Sequence, residues 1–248
     1  MLTPSSNTVL EPTTVAMLSG LPDVTVHFAR FRVTEIALSD EALGQFGNAE
    51  ILRAAELLSH AKVDVIGWNG TSASWLGFDR DERLCKRIEA LTWARACTSV
   101  LATREILNEQ NVRRLGLVTP YTSDVQQRIM RNWAAAGVTC TAERHVGLSD
   151  NFSFADVDER HVAELVREVA GEGCEAVAAV CTNMRGARMA EALEGELDIP
   201  VYDSIAMALW KSLRLAGVET SRVKGWGSLF AGPLFRESVH TRVRGSVR

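Results

Sequence analysis

The stretch Ala176–Met184, which reads AVAAVCTNM, decides the fold class of this 248-residue chain. Its apolar run, Val177–Val180, does not alternate with polar residues, which is typical of a parallel strand covered on both faces. Apolar spacing from Met189 to Leu197 then predicts a helix. Cys181 therefore follows a strand at its carboxyl end, where open α/β sheets bind ligands. We expect the N-terminus of the following helix to favour the thiolate form of this cysteine.

An earlier stretch repeats the pattern of this one. Asp64–Ser72 (DVIGWNGTS) aligns with Glu175–Asn183 (EAVAAVCTN), since each has an acidic start, an apolar strand, and then a threonine followed by a small polar residue. In this alignment Gly70 stands where Cys181 stands. The chain thus contains two equivalent strand ends, and only the second carries a thiol.

A second pair of similar loops supports an internal duplication. Leu2–Asn7 (LTPSSN) resembles Val118–Ser123 (VTPYTS), at nearly the same separation as the first pair. The repeats, and the alternation of strand and helix patterns, predict an α/β fold with two parallel-sheet halves that face each other. We assign residues 1–112, joined by the C-terminal tail 218–248, to the first half and residues 113–217 to the second.

Hydrophobic periodicity predicts most of the individual elements. The predicted strands cover residues 24–28, 63–68, 115–118, 138–144, 176–180 and 199–202, besides a very short one at 1–3. The predicted helices cover residues 9–18, 48–61, 91–108, 123–137, 156–170 and 204–216. Ser123 and Gln126 are spaced as a capping box at the start of one of these helices.

Composition excludes several classes of function. The formal charge of −4 argues against a nucleic-acid-binding surface. No apolar stretch reaches membrane-spanning length, and residues 1–4 lack the features of a signal peptide, so we expect a cytoplasmic protein without membrane contact. The five cysteines are an odd number without CxxC spacing, which indicates free thiols. The five histidines show no metal-ligand spacing, so no metal site is predicted.

Five short motifs together resemble the aspartate/glutamate racemase superfamily. They are Pro4–Thr8 (PSSNT), Gly70–Ser72 (GTS), Thr119–Tyr121 (TPY), Asp150–Asn151 and Cys181. The resemblance extends to about Ala216. Within the superfamily, the chain is most similar to the branch that contains maleate cis–trans isomerases, the related ectoine-utilisation proteins and arylmalonate decarboxylases. It implies two Rossmann-like halves related by pseudo-two-fold symmetry. It also implies a cofactor-free site for a small carboxylate or dicarboxylate between them.

The resemblance is divided between two activities. Racemases and isomerases of the superfamily carry a cysteine at both symmetry-related strand ends, whereas arylmalonate decarboxylases combine Gly-Thr-Ser at the first end with one cysteine at the second. Gly70 and Cys181 follow the decarboxylase pattern. The Pro-Ser-Ser-Asn loop and the Asp-Asn pair are more similar to maleate isomerases, and this similarity implies that Asn7 and Asn151 hold a substrate carboxylate.

A single thiol favours decarboxylation of a malonate-type acid, which makes the protein a lyase. Loss of carbon dioxide leaves an enediolate, which hydrogen-bond donors stabilise in the manner of an oxyanion hole, and one acid then protonates the carbon. Cys181 is the candidate acid. The candidate donors and binding groups are Thr71, Ser72, Tyr121, Gly70, Thr182 and Asn183.

Other interpretations of the same residues stay open. Thr71, Ser72 and Asn183 are also suited to cap the helices that follow, a role compatible with binding an anion. Trp68 and Trp75 are more typical of a core than of a pocket wall. Alternative functions are a maleate isomerase- or racemase-like enzyme with one thiol replaced, and a non-catalytic carboxylate-binding protein. The substrate and a homo-oligomeric state are left open by the sequence.

Overall fold

The computed structural model describes residues 1–46 and 48–232 of the chain, in which eight strands form two sheets. The strands of the first sheet are β1 (Leu2–Pro4), β2 (Ala29–Phe31), β3 (Val65–Trp68) and β4 (Arg95–Thr98). Those of the second are β5 (Arg114–Thr119), β6 (Thr139–His145), β7 (Ala176–Ala179) and β8 (Val201–Asp203).

Helices connect the strands in both halves. In the first half they are α1 (Leu10–Met17), α2 (Asp40–Gly44), α3 (Asn48–Ser59), α4 (Ala73–Leu76), α5 (Phe78–Thr92) and α6 (Ser99–Glu109). In the second half they are α7 (Ser123–Ala135), α8 (Glu159–Ala170), α9 (Ala190–Leu197) and α10 (Ser204–Leu215). Short 3₁₀ turns lie at Ser153–Asp156, Ala187–Met189, Thr220–Arg222 and Ser228–Phe230.

The two sheets have the same strand order. The first runs β2-β1-β3-β4 and the second β6-β5-β7-β8, and every pair of neighbouring strands is parallel. The sequence repeats therefore map onto equivalent positions, since β3 corresponds to β7 and β1 to β5. The predicted α/β fold with two similar parallel-sheet halves is confirmed. Helices cover both sheets, and β7 is fully buried, as its apolar run indicates.

Two predicted elements are wrong. The helix predicted over 91–108 is interrupted, because α5 ends at Thr92, Trp93 adopts φ 63°, and β4 comes before α6 begins. The four residues of β4 have no apolar run, since this strand lies at the edge of its sheet. The strand predicted at 24–28 is displaced to Ala29–Phe31. Alternation at 24–28 reflects an extended segment in which Val24, Val26 and Phe28 pack against the core.

The helices α6 and α10 join the halves. They occupy equivalent places after β4 and β8, and they pack against each other, with Lys211 Nζ 2.6 Å from Glu105 Oε2 and Ser99 Oγ donating to Ser204 O over 2.9 Å. Helix α10 also packs against β3 and β4 of the first sheet. The assignment of all of 113–217 to a separate half therefore stays a prediction.

The C-terminal tail contacts both halves as far as the structure describes it. Arg222 pairs with Asp23 of the first half, and the Ser228 N–H and hydroxyl donate to Glu194 of the second. The predicted return of residues 218–248 to the first half is testable only up to Gly232, since residues 233–248 lie outside the described residues. No helix among the described residues is long and apolar enough to cross a membrane.

Candidate active site

A small cavity lies where the carboxyl ends of the two sheets meet. Its volume is about 20 Å³, roughly the space of a single water. The residues that line it are Pro4, Val33, Ile36, Phe46, Trp68, Gly70, Thr71, Ser72, Trp75, Tyr121, Asn151, Cys181 and Thr182. Seven of the nine predicted site residues are among them, and Asn7 and Asn183 contact their neighbours. The loops after β1, β3, β5 and β7 thus bring both repeats of the sequence to one point.

Cys181 is the buried centre of this cavity. It is 2% exposed, and its sulfur accepts a hydrogen bond from the Asn183 N–H over 3.3 Å. Burial raises the pKa of the Cys181 thiol to about 12, against the opposing effects of the Asn183 N–H and the Tyr121 hydroxyl; the Asp203 carboxylate raises it further. The thiol is therefore protonated at neutral pH, which suits a proton donor.

The predicted helix N-terminus beside Cys181 is not found. Residues 182–186 form a turn and a bend without helical structure, a 3₁₀ turn comes next at Ala187–Met189, and α9 begins only at Ala190. The expectation that a helix dipole favours the Cys181 thiolate is therefore wrong for this structure. The apolar residues Met189, Leu193 and Leu197 do belong to a helical stretch, but the connection from the strand is longer than their spacing shows.

Tyr121 connects the two strand ends. Its hydroxyl lies 2.6 Å from Thr71 Oγ1 and is close enough to the Cys181 thiol to influence its pKa. Burial raises the pKa of Tyr121 well above its ordinary value, so the phenol stays protonated as a donor. Its ring packs edge-on against Trp75 and Phe154, at centroid distances of 5.3 and 5.5 Å, which fixes its orientation.

The Gly-Thr-Ser segment presents further hydrogen-bond donors. Thr71 and Ser72 are buried and line the cavity. Within the described residues, their backbone N–H groups donate to no protein acceptor, and the Ser72 hydroxyl does not cap α4. Buried N–H groups are nearly always paired in proteins, so these are suited to an anionic ligand atom.

Asn7 and Asn183 are engaged in holding the loops together. The Asn7 amide donates to Thr182 O and Thr182 Oγ1, at 3.0 and 3.2 Å, while its oxygen accepts the Val9 and Leu10 N–H groups at the start of α1. Asn183 Oδ1 accepts the N–H groups of Thr8 and Val9, so both side chains cap α1. In this arrangement both the nitrogen and the oxygen of the Asn7 amide have protein partners, and its contact with a carboxylate stays a prediction.

Asn151 lines the cavity and belongs to the segment 149–151, which we call the strap. Its Nδ2 donates to Ser6 Oγ over 2.7 Å, and its carbonyl accepts from Asn183 Nδ2 over 2.5 Å. The Asn151 N–H donates to Thr34 O, and the Ile36 N–H donates to Ser149 O. Residues 34–36 of the first half are thereby paired with residues 149–151 of the second.

The cavity also has an apolar wall, of which the sequence analysis named only Trp68 and Trp75. Val33, Ile36 and Phe46, from the connection between β2 and α3, join Trp68 and Trp75. Their positions could have been found by applying the strand-end rule to β2, whose carboxyl end leads into this segment. No charged side chain lines the cavity among the described residues.

The predicted capping box at Ser123 does not form. Thr122 is the N-cap of α7, Ser123 Oγ pairs with His145 Nε2, and Gln126 bonds to Thr119 Oγ1 and Glu143. The buried Gln126 side chain instead connects Thr119, at the start of the Thr-Pro-Tyr loop, with Glu143 of β6 by hydrogen bonds.

Two other features of the described residues do not compete with this site. A surface cleft of about 500 Å³ lies between α6, α10 and the chain after Gly217, but it contains none of the predicted residues, and its Arg214 is paired with Glu109. No group of three His, Cys, Asp or Glu side chains within 1–46 and 48–232 is arranged to hold a metal ion.

Comparison with known proteins agrees with this geometry. The chain is 23% identical over 242 residues to the maleate isomerase of Alcaligenes faecalis, covering 93% of this chain and 95% of that protein. It is 27% identical over 179 residues to the arylmalonate decarboxylase of Bordetella bronchiseptica, covering 71% of this chain and 75% of that protein.

A solved structure supports the fold. It is a cysteine-to-serine mutant of the Nocardia farcinica maleate cis–trans isomerase with a covalently bound succinylcysteine intermediate. It matches with a TM-score of 0.83 at 24% identity, and the match covers 92% of this chain and 96% of that one. The family model for arylmalonate decarboxylase matches residues 22–230. With two parallel sheets, a cavity at their carboxyl ends and a match over most of its length, this chain belongs to the arylmalonate decarboxylase family.

Proposed function

We propose that this protein decarboxylates a malonate-type acid that carries an apolar substituent, with Cys181 as the proton donor. The observation that carries the proposal is the composition of the two equivalent strand ends. Cys181 provides the one thiol among the residues that line the cavity, and Gly70 occupies the equivalent position on the opposite sheet. One thiol suffices to protonate an enediolate, whereas racemisation and isomerisation by paired thiols need a second one.

Each step has a candidate group. The bond between the α-carbon and one carboxylate breaks, and its electron pair moves into the remaining carboxylate to give an enediolate. Tyr121, Thr71 and Ser72 supply hydrogen bonds to the enediolate oxygens. The Cys181 thiol gives its proton to the α-carbon, and the resulting thiolate regains a proton from water. The raised pKa of Cys181 keeps the thiol protonated for this role.

The apolar wall supports loss of a carboxylate. Val33, Ile36, Phe46 and Trp75 provide no hydrogen bonds to a charged group placed against them, apart from the Trp75 indole N–H. A carboxylate placed there loses its hydration, which costs free energy because the group is charged. Carbon dioxide is neutral and loses little, so the apolar wall favours release of the carboxylate as carbon dioxide. The same wall accommodates an apolar substituent.

The second candidate is a maleate isomerase-like activity. It is favoured by the coverage of the maleate isomerase relative, 93% against 71% for the decarboxylase relative. The loop that carries Ser5, Ser6 and Asn7 also contacts Thr182, next to Cys181, and Asn151. In this alternative Cys181 acts as a nucleophile, which requires the thiolate that burial disfavours.

The deciding experiment monitors turnover of a panel of malonates, maleate and amino acids in deuterated water by proton NMR. Wild type is compared with Cys181→Ala and with Cys85→Ala, which removes a partly buried thiol outside the cavity. We expect products with one deuterium at the α-carbon, a loss of at least about 100-fold in Cys181→Ala, and normal turnover in Cys85→Ala.

Each other result selects a different function. Conversion of maleate to fumarate would establish the isomerase candidate, and α-hydrogen exchange without loss of carbon dioxide would indicate a racemase-like enzyme. A thermal shift with dicarboxylates without turnover would indicate a carboxylate-binding protein. Decarboxylation that survives Cys181→Ala would contradict the role given to this thiol.

A further inference from the structure

The side chain of Trp68 fills the space beside Gly70. A Cβ atom built on Gly70 would lie 2.1 Å from Trp68 Cζ2 and 2.4 Å from Trp68 Cη2. Contacts below 3.0 Å essentially never occur for a Cβ, and here the obstacle is a rigid ring. The absence of a side chain at Gly70 and the position of the Trp68 indole are therefore linked. A thiol at this strand end would need the volume that the indole occupies.

The indole cannot easily move away. Trp68 is 1% exposed, and its ring packs against Phe31 at a centroid distance of 5.0 Å. Its backbone is paired on both sides, with Leu2 of β1 and Thr98 of β4. Rotation of the side chain would require a cavity elsewhere in the core, and close-packed interiors do not offer one.

Trp68 and Cys181 line the same cavity from opposite sheets. We propose that Trp68 is a specificity-determining residue whose indole closes the face of the reacting carbon opposite Cys181, so that a prochiral malonate gives one enantiomer that the enzyme does not racemise. The inference deepens the proposed function and rests on it. Racemisation would need one thiolate to remove the α-hydrogen as a proton and a second thiol to donate a proton to the other face. The Trp68 indole occupies the volume that a second thiol at position 70 would need.

The steric part of the inference can be tested without any activity. We compare melting temperatures of wild type, Gly70→Ala, Trp68→Leu and the double variant, with Trp68→Met as a second background if Trp68→Leu does not fold. Gly70→Ala is expected to lower the Tm of wild type by about 2–10 °C, the range for overpacking in a chain of this size, and to have little effect once Trp68 is replaced. Gly20→Ala, whose Cβ meets nothing within 4 Å, is the control.

The functional part uses α-methyl-α-phenylmalonate as the probe in deuterated water. Wild type should release one enantiomer of the monoacid, and Gly70→Cys alone should not exchange the α-hydrogen of that product. Gly70→Cys combined with Trp68→Leu should exchange it and give both enantiomers. If Gly70→Cys alone folds and exchanges as fast as the double variant, or the folded double variant shows no exchange, the inference is overturned.

The two proposals fail separately. An equal effect of Gly70→Ala on Tm in both backgrounds would overturn the role of Trp68, whatever the reaction. A wild type that unfolds as expected in the Tm series but releases no carbon dioxide from any malonate would overturn the proposed function instead.

Discussion

At the scale of single residues, the cavity depends on groups that burial keeps neutral. Cys181 and Tyr121 are both essentially inaccessible, and burial raises the pKa of each. They therefore keep their protons, and the Thr71–Tyr121–Cys181 chain of hydroxyl and thiol groups can donate hydrogen bonds to an anion. This chain joins the two sheets by side chains alone.

Replacement of Tyr121 by phenylalanine tests this chain. Tyr121→Phe removes the hydroxyl that contacts Thr71 and Cys181 while the ring keeps its packing. We expect kcat/KM to fall by about 10²- to 10³-fold, the usual cost of one oxyanion donor, with little change in Tm. Tyr202→Phe is the matched control, because this buried tyrosine lies outside the cavity. Equal losses in the two variants would mean that the hydroxyl of Tyr121 has no special role.

Sequence patterns indicated the residues that line the cavity better than the contacts these residues make. The Gly-Thr-Ser and Cys-Thr-Asn repeats identified both strand ends, because parallel strands of equivalent halves end at equivalent places. The same letters could not show that the Asn7 amide donates to Thr182 or that the Asn183 side chain caps α1, since these partners come from the other half of the chain. Long-range hydrogen bonds leave no periodic trace in a sequence.

At the scale of elements, the main departure from the sequence-based expectations lies in the connections that leave the strands. Buried strands such as β7 are recognisable from apolar runs, and amphipathic helices from their spacing. Edge strand β4 carries neither signal, and the residues between Cys181 and α9 do not show that this helix begins only at Ala190. The connection from β2 to α3 has no periodic signal either, although it supplies three cavity residues.

The start of α10 gives a prediction about pH. Asp203 Oδ1 accepts the N–H groups of Ile205 and Ala206, while Oδ2 is buried and has no hydrogen-bond partner among the described residues. Burial raises the pKa of the Asp203 carboxyl to about 7, so the folded state binds a proton that the unfolded state releases at lower pH. Its stabilising contribution is complete below about pH 4 and is lost as the pH rises through 7.

Asp203→Asn should remove part of this dependence. The amide can still cap α10 but cannot ionise, so the free energy of unfolding should decline less between pH 4 and pH 7 than in wild type. Denaturant titrations at each pH measure the difference. Asp81→Asn provides a comparison, because burial also raises the pKa of Asp81 to about 7 at a different site. Parallel curves for wild type and Asp203→Asn would contradict this prediction.

The strap over the cavity gives a second prediction at this scale. A cavity of about 20 Å³ cannot admit a dicarboxylate unless its lining moves. The hydrogen bonds between residues 34–36 and the strap, residues 149–151, restrict this movement. Glu35 and Asp150 face each other in an antiparallel bridge flanked by hydrogen bonds. Such non-hydrogen-bonded pairs suit a disulfide.

The variant Glu35→Cys/Asp150→Cys should therefore lose kcat/KM when oxidised and regain it on reduction. The reduced double variant and the two oxidised single variants are the controls. If the cross-linked enzyme turns over at the reduced rate, substrate reaches the cavity by another route.

At the scale of the whole molecule, the two sheets are not independent units. Helix α10 comes after the last strand of the second sheet but packs on β3 and β4 of the first, and Lys211 and Arg214 pair with Glu105 and Glu109 of α6. Each half thus relies on the other to cover its apolar surface.

We expect the two halves to unfold together. Far-ultraviolet circular dichroism and tryptophan fluorescence should give the same denaturation midpoint, since tryptophans lie in both halves. A fragment of residues 1–112 should remain unfolded, because it lacks α10. Two separate transitions, or a folded fragment, would show that each sheet is stable alone.

The uncharged lining of the cavity has a consequence for ionic strength. A binding site built from lysine or arginine loses affinity in salt, because the attraction is screened. Here the cavity residues that the structure describes carry no charge, and the chain as a whole has a net charge of −4, which repels a dianion at long range. Added sodium chloride should therefore leave KM unchanged or lower it slightly, and a KM that rises steeply between 50 and 500 mM salt, about a threefold change in Debye length, would indicate a cationic group at the site.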